Sequence, residues 1–466
     1  MSKSNRNPYS LFYKLFFAEN PIVLALVSLI YRVYDCETLP SLEKLTALTV
    51  SFMVLNACST VRQSFFHCTI DFSPKSLNSY YWLFDYSKID FKNWSDNIVR
   101  IILSLLPSES KNRIVFLSID DTILEKFGKK FEHIRILFDH SSHDSNKYKN
   151  AHCFVALMLS IPVKIGFKFF IISIPVQLRM WVKDEKTKHE IAAEMVEHVS
   201  ALIGPETKKV LLCDSWYPKG AIINLVGTIE NFSITANVRV DTALYDIPEK
   251  KEGRGRPRKY GNKLDHVRDF PLREIAGTRF LIGYRPVKTR IFGGDRTVMA
   301  FVTKPVNGGS HRLFVCSDPS IYKDFDLDLL PDNEAKTYAA ADRSLIAYCV
   351  YKYRWSIEVI FQELKVYWNL GGYRLRSRVG IERLTNLVAV VYALLEMLPY
   401  LDPSFACLEK RSHQERRFLL GRLLDRHQIL CRFLKARQGN EKSVPLEELL
   451  AVNKLEDPRI PEKAVK

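Results

Sequence analysis

Two unbroken apolar runs that each stop at a carboxylate constrain this chain most. Arg113 to Thr122 (RIVFLSIDDT) carries Asp120 and Asp121 at its end, and Lys209 to Asp214 (KVLLCD) ends on Asp214. A short apolar run without polar alternation reads as a strand covered on both faces by other elements. Between the two lie long β-rich runs, His152 to Val163 and Gly166 to Trp181, joined at Lys164 and Ile165 as a hairpin. Lys186 to Ile203 then has helical periodicity; after Asp214, Lys219 to Glu230 reads as a helix and Phe232 to Val240 as a strand.

That order is the ribonuclease-H-like α/β topology. Its first and fourth strands are neighbours, so their terminal aspartates meet, and a later helix brings a third acid. Successive strand residues face opposite sides, so one of Asp120 and Asp121 points into a shared site. Asp120, on the same face as Thr122, is the candidate; Asp121 is the alternative, and a strand-ending turn also accounts for the pair.

The helix with the third acid is read from about Tyr348 to Trp368 (YCVYKYRWSIEVIFQELKVYW). At roughly 100° per residue, Tyr351, Arg354, Glu358 and Lys365 fall within about 60° of one another. Val350, Ile357, Ile360 and Leu364 cover the other side, which is expected to be buried. On an ordinary amphipathic helix Arg354 and Glu358 would be a surface ion pair at i, i+4.

The spacing Y-(2)-R-(3)-E-(6)-K, however, resembles the signature of a cut-and-paste group of DDE transposases from bacterial insertion sequences. D-x-T at Asp120 resembles that family's first catalytic motif. The resemblance covers about residues 110 to 400. It implies that Asp120, Asp214 and Glu358 are the catalytic, metal-binding acids, and that Tyr351, Arg354 and Lys365 grip phosphates of the transposon end. Clustered carboxylates raise one another's pKa, which two divalent cations about 3.5 to 4 Å apart would relieve. Hard oxygen donors favour Mg2+, with Mn2+ able to substitute. The implied reaction frees a 3′ hydroxyl at the transposon end and uses it to attack target DNA. The implied partners are double-stranded DNA and a second copy of the chain, as a homodimer on paired ends. A metal-dependent nuclease or resolvase of the same fold is the alternative, although it leaves the spacing of Tyr351, Arg354 and Lys365 unexplained. A DNA-binding protein with a decayed centre is a third reading, against which the intact acids argue.

The net charge of +16 and pI of 9.3 suit a polyanionic partner. Glu249 to Lys263 (EKKEGRGRPRKYGNK) concentrates that charge. Its Gly255-Arg256-Pro257 core resembles an AT-hook and a G-R-P-R-K stretch of related transposases, giving Arg254, Arg256 and Arg258 as DNA-binding candidates for a narrow minor groove. Arg279–Tyr284, Arg290–Phe292, Thr297–Thr303 and Leu313–Ser317 have the residue bias of strands, matching the β insertion that the resemblance implies. Family members often place there a tryptophan that stacks on a flipped base; this insertion has none, leaving Phe292, Tyr284 and Phe301 as stand-ins.

The expected organisation is a helical N-terminal domain (1–108), a first part of the core (109–240), the β-rich insertion (241–345), the catalytic helix and its successor (346–400) and a basic helical C-terminal region (401–466). In the first, Ser73 to Phe84 is either a helix-turn-helix-like DNA reader or a cap on the core. In the last, Lys410 to Arg437 reads as a basic amphipathic stretch facing DNA, a partner or solvent. Phe131 to Asn150 reads as a polar loop whose histidines lack paired zinc spacing. The nine cysteines stand singly, which suits reduced thiols in a cytosolic protein, and the resemblance implies a bacterial one. Ile22 to Tyr31 is too short to span a bilayer, so a soluble, nucleoid-associated protein is expected.

Overall fold

The computed structural model describes residues 21–424 except 36, 56–59, 70–74, 108–112, 140–146, 167 and 250–257. The strand with the first aspartates, β1 (Ile114–Glu125), lies inside a mixed sheet. On one side it runs antiparallel to β3 (Tyr148–Ile165), and on the other parallel to β5 (Lys208–Cys213), which is parallel to β6 (Phe232–Val238). The far edge of β3 is shared by β2 (Arg135–Phe138) and β4 (Lys168–Trp181). The first and fourth long strands are therefore neighbours, as the ribonuclease-H-like order requires, and β3 and β4 form the expected hairpin. β2 and the start of β3 replace much of the polar loop expected over Phe131 to Asn150.

Beyond β6 the chain adds further strands to the same sheet. Short β7 (Leu244–Tyr245) is followed by β8 (Phe280–Thr289), β9 (Val298–Pro305) and β10 (Arg312–Cys316), and β10 pairs antiparallel with β6. The inserted strands thus prolong the core sheet, giving the order β2-β3-β1-β5-β6-β10-β9-β8-β7. Arg290–Phe292, expected as a strand, is a 3₁₀ turn capped by the Thr289 hydroxyl.

Helices cover both faces. The N-terminal helices α1 (Pro21–Val33), α2 (Leu39–Val54), α3 (Val61–Ser64), α4 (Leu77–Asp85) and α5 (Phe91–Leu103) share one apolar core with the sheet. Helix α4 turns Tyr80, Leu83 and Phe84 inward, and Asp85 accepts a 2.5 Å bond from the Ser377 hydroxyl. Helix α6 (Lys188–Ile203) begins in a Thr187–Glu190 capping box, which satisfies two of its free N-terminal donors. Helix α7 is shorter than expected, only Gly220–Asn224, and Gly227 follows with a φ of 90°, in the left-handed region.

The helix expected over Tyr348 to Trp368, here called the organising helix, is three consecutive pieces preceded by α8 (Asn333–Ala341): α9 (Ile346–Val350), a 3₁₀ turn (Tyr351–Arg354) and α10 (Trp355–Val366). Val350, Ile357, Ile360 and Leu364 are buried as the apolar stripe predicts. Helix α11 (Arg378–Leu401) is long and apolar enough to cross a bilayer, yet 83% of its apolar window is buried inside the protein, against β4 and the N-terminal helices. In the final described helix, residues 413–424, Arg416 and Arg417 turn inward while Arg422 stays exposed. Buried Arg417 donates to the Tyr367 carbonyl (2.9 Å) and to those of Phe52 and Leu55. Buried Arg416 pairs with Glu396 at 2.8 Å. These arginines hold carbonyls and an acid within the fold, and the part of the basic stretch beyond 424 lies outside the described residues.

Candidate active site

Strand parity builds the site. On β1, Ile114 and Phe116 face one core and Val115, Leu117 and Ile119 the other; on β5, Val210 and Leu212 share the first core and Leu211 and Cys213 the second. Asp120 and Asp214 continue the Phe116 and Leu212 faces. Ile119 and Cys213 are the last paired residues of β1 and β5, so Asp120 and Asp214 follow them as neighbours where the parallel pairing stops. β1 itself runs on to Glu125, held by β3, so the aspartates mark the end of a pairing and not the end of the strand.

The 3₁₀ turn is laid on that same face. Tyr353 packs its ring on Phe116 at 4.8 Å, and Tyr351 meets Phe314 of β10 edge-on at 5.1 Å. Three residues per turn stack i over i+3, which sets the Arg354 guanidinium 5.8 Å from the Tyr351 ring centroid. Arg354 then reaches between the acids: it hydrogen-bonds Glu358 and lies 3.7 Å from Asp120. Its Nε is buried without a hydrogen-bond partner.

Burial pushes the Asp120 carboxyl up to about 7, with the charge of Asp214 adding to the shift and Arg354 opposing it. Asp214 is also raised, first by burial; the Trp216 amide (3.0 Å) and Arg354 pull it back. Two neighbouring carboxylates resisting ionisation are short of positive charge. A hard divalent cation fits that oxygen donor set in kind. Among the described residues, however, no three His, Cys, Asp or Glu side chains are grouped as an ion would need, and Glu358 is engaged by Arg354.

Asp121 points the other way. It accepts from Lys188 at 2.6 Å, Tyr217 at 3.1 Å and the Cys153 thiol at 3.4 Å. Burial lowers the Lys188 ammonium, and Cys153 and Asp121 more than reverse this, so its pKa ends above the usual value.

The remaining predicted residues divide between two cavities. A cleft of about 660 Å³ is lined by Asp214, Tyr351 and Arg354, together with Arg312, Asn237 and Trp355. Lys365 instead lines a groove of about 1010 Å³, with Lys126, Lys129 and Arg376. The stripe on the organising helix therefore serves two openings. Arg254 and Arg256 lie outside the described residues, and Arg258 is exposed just after them. Of the aromatic stand-ins, Phe292 and Phe301 are buried and the Tyr284 hydroxyl donates to Asp342 at 2.6 Å. The exposed aromatic on the cleft wall is Trp355, 60% exposed, which the sequence reading passed over although it adjoins Arg354.

Residues 86–273 match the family model described as DDE superfamily endonuclease. The matched stretch includes Asp120 and Asp214, covers less than half of the chain and ends before Glu358. No curated protein matches the chain significantly. The match and the mixed α/β sheet support a nuclease- or transposase-type DDE protein, whose substrate would be DNA.

Proposed function

We propose that this chain is a DNA transposase of the DDE class, cutting at transposon ends and joining the freed end to target DNA. The observation that carries the reading is the meeting of Asp120 and Asp214 on one sheet face, against a turn that delivers Arg354 and a helix that delivers Glu358. Asp120, Asp214 and Glu358 would hold Mg2+ or Mn2+. When bound, such ions make a water or hydroxyl nucleophilic and stabilise the leaving oxygen. Bound cations would supply the positive charge that Asp120, whose burial holds its pKa near 7, lacks on its own. Arg354, on the cleft wall beside Asp214, donates to a backbone phosphate and orients it over the acids. Tyr351 adds a hydroxyl on the cleft wall, and Lys365 holds the same strand farther along the helix. Arg254, Arg256 and Arg258 add affinity outside the cleft, and two copies act on paired ends.

An endonuclease without strand transfer is the second reading, favoured by the description of the matched family. A labelled transposon end incubated with the protein and Mg2+ or Mn2+ separates the two. The transposase yields nicked, double-cut and joined products. Nicking without joining would leave the endonuclease, and no cleavage with either metal would remove both readings.

A further inference from the structure

The larger groove, on the Lys365 side of the helix, is built with more care than a solvent channel needs. Its walls are the loop after β1 (residues 126–131) and the segment 371–376, and Lys126 ties them together. The Lys126 ammonium donates to the carbonyls of Gly371 and Tyr373 (2.7 Å for the latter) and lies 3.4 Å from the Tyr373 ring centroid. The loop is pinned elsewhere as well: Asn150 donates to the carbonyls of Lys126 (2.9 Å) and Gly128 (3.0 Å), and the Glu132 amide donates to the Arg376 carbonyl (2.9 Å). The Phe131 ring packs edge-on against Tyr373 at 6.2 Å, and a Cβ on Gly128 would come within 3.0 Å of that ring.

On this fastened loop Phe127 is 101% exposed. Leaving a phenylalanine in water forgoes the burial that normally stabilises it, and a rigid loop cannot fold it away. Around it the groove carries Lys129, Lys130, Lys365, Arg374 and Arg376 against Glu125 and Asp139, with Lys149 lying 4.0 Å from Glu125. A smaller cavity sharing Gly372 and Arg374 continues the basic lining to Arg62 and His67. An aromatic face beside a track of cations is the composition that binds single strands: cations follow the phosphates and a base stacks on the ring. A duplex turns its base faces inward, so Phe127 has a partner only when a base is unpaired.

We propose that this groove receives an unpaired strand of DNA, with Phe127 as the platform for one base and Lys129, Lys130 and Arg376 on its phosphates. The assignment rests on the reading of the chain as a DNA-processing enzyme and adds a strand-separated segment to its substrate. Lys365, on the helix that also carries Glu358, lines this groove.

The test is binding of a single-stranded oligonucleotide carrying 2-aminopurine to the full chain in EDTA. Wild type and Asp120→Asn should bind alike and quench the fluorophore. Phe127→Ala should weaken binding about tenfold, the scale of one lost base stack, and abolish the quenching, while Phe127→Tyr keeps both. Lys129→Ala with Lys130→Ala should flatten the slope of log affinity against log salt by about 1.4, at 0.7 per phosphate. The proposal is overturned if Phe127→Ala binds as wild type, if a blunt duplex binds as tightly with the same Phe127 dependence, or if RNA or an acidic peptide is bound tenfold better than DNA. Cleavage is scored separately with Mg2+ and Mn2+. Cleavage by a protein whose strand binding ignores Phe127 defeats the groove alone, whereas Phe127-dependent binding without cleavage under any condition defeats the transposase reading alone.

Discussion

Asp120 and Asp121 are adjacent on one strand, about equally exposed, and electrostatically opposite. Asp121 has three side-chain donors, Lys188, Tyr217 and Cys153, while Asp120 has one backbone amide, a guanidinium shared with Glu358 and the repulsion of Asp214. The alternation of the strand, not the residue type, decides which carboxylate is satisfied by the fold and which is left to be satisfied from outside. A carboxylate kept short of counter-charge weakens the fold but is available to a cation; a fully partnered one strengthens the fold and is closed to ligands.

The largest test of that contrast is cleavage. Asp120→Asn should slow metal-dependent nicking on the order of 1,000-fold, the scale of removing a group that stabilises transition-state charge, while Asp121→Asn should keep chemistry within about tenfold of wild type once normalised for folded protein. Equal losses in a gel-based time course would erase the distinction. Next, Lys188→Met leaves Asp121 without its ammonium. Both side chains are about one-fifth exposed (23% and 20%), so the cost should fall below that of a fully buried broken pair, at about 2 to 3 kcal/mol in denaturant unfolding.

A smaller effect follows from titration. The Asp120 carboxyl sits at about 7 in the folded chain against an ordinary 3.8. Between those values the folded state keeps a proton that the unfolded state has released, so metal-free stability falls as pH climbs from about 4 to about 7 and levels off above that. Asp120→Asn should therefore match wild type near pH 4 and become the more stable of the two as pH rises through 7. A difference independent of pH would mean that Asp120 is not strained by its charge. Smallest, Tyr217→Phe removes one 3.1 Å bond to Asp121 and should cost about 1 kcal/mol with no change in that pH profile.

Much of this contrast could be read from the chain because it depends on period. Alternation at Asp120 and Asp121, and the apolar runs around them, fix the face once the neighbouring strand is known. The helical stripe likewise placed Arg354 against Glu358. Packing across distance was not legible. The 3₁₀ turn at Tyr351–Arg354 is set by Phe116 and Phe314, residues far away in sequence. The inward turn of Arg416 and Arg417 contradicts their basic surface pattern, because the carbonyls that receive them lie at other helix ends (Tyr367, Leu55) or opposite Pro399, which has no N–H to offer Leu395. Lys219 to Glu230 has helical composition, but Gly227 interrupts it. The groove escaped notice because its lysines, at 126, 129 and 130, look like an ordinary solvated loop until segment 371–376 is laid beside them.

The joint between β6 and β10 has a consequence for how such a chain can vary. Four residue pairs, from Leu313↔Val238 to Cys316↔Thr235, graft the inserted strands onto the core. Phe314 pairs there with Asn237 on the cleft wall and also supports Tyr351. A slip of one residue would turn Phe314 to the opposite face and withdraw the support under Arg354. Lengthening the turns at the outer ends of β8 and β9 leaves that joint untouched. Diversity is thus expected to collect along the outer rim of the sheet, where new DNA contacts can be tried, while the four-pair joint acts as a fixed hinge-pin for the chemistry.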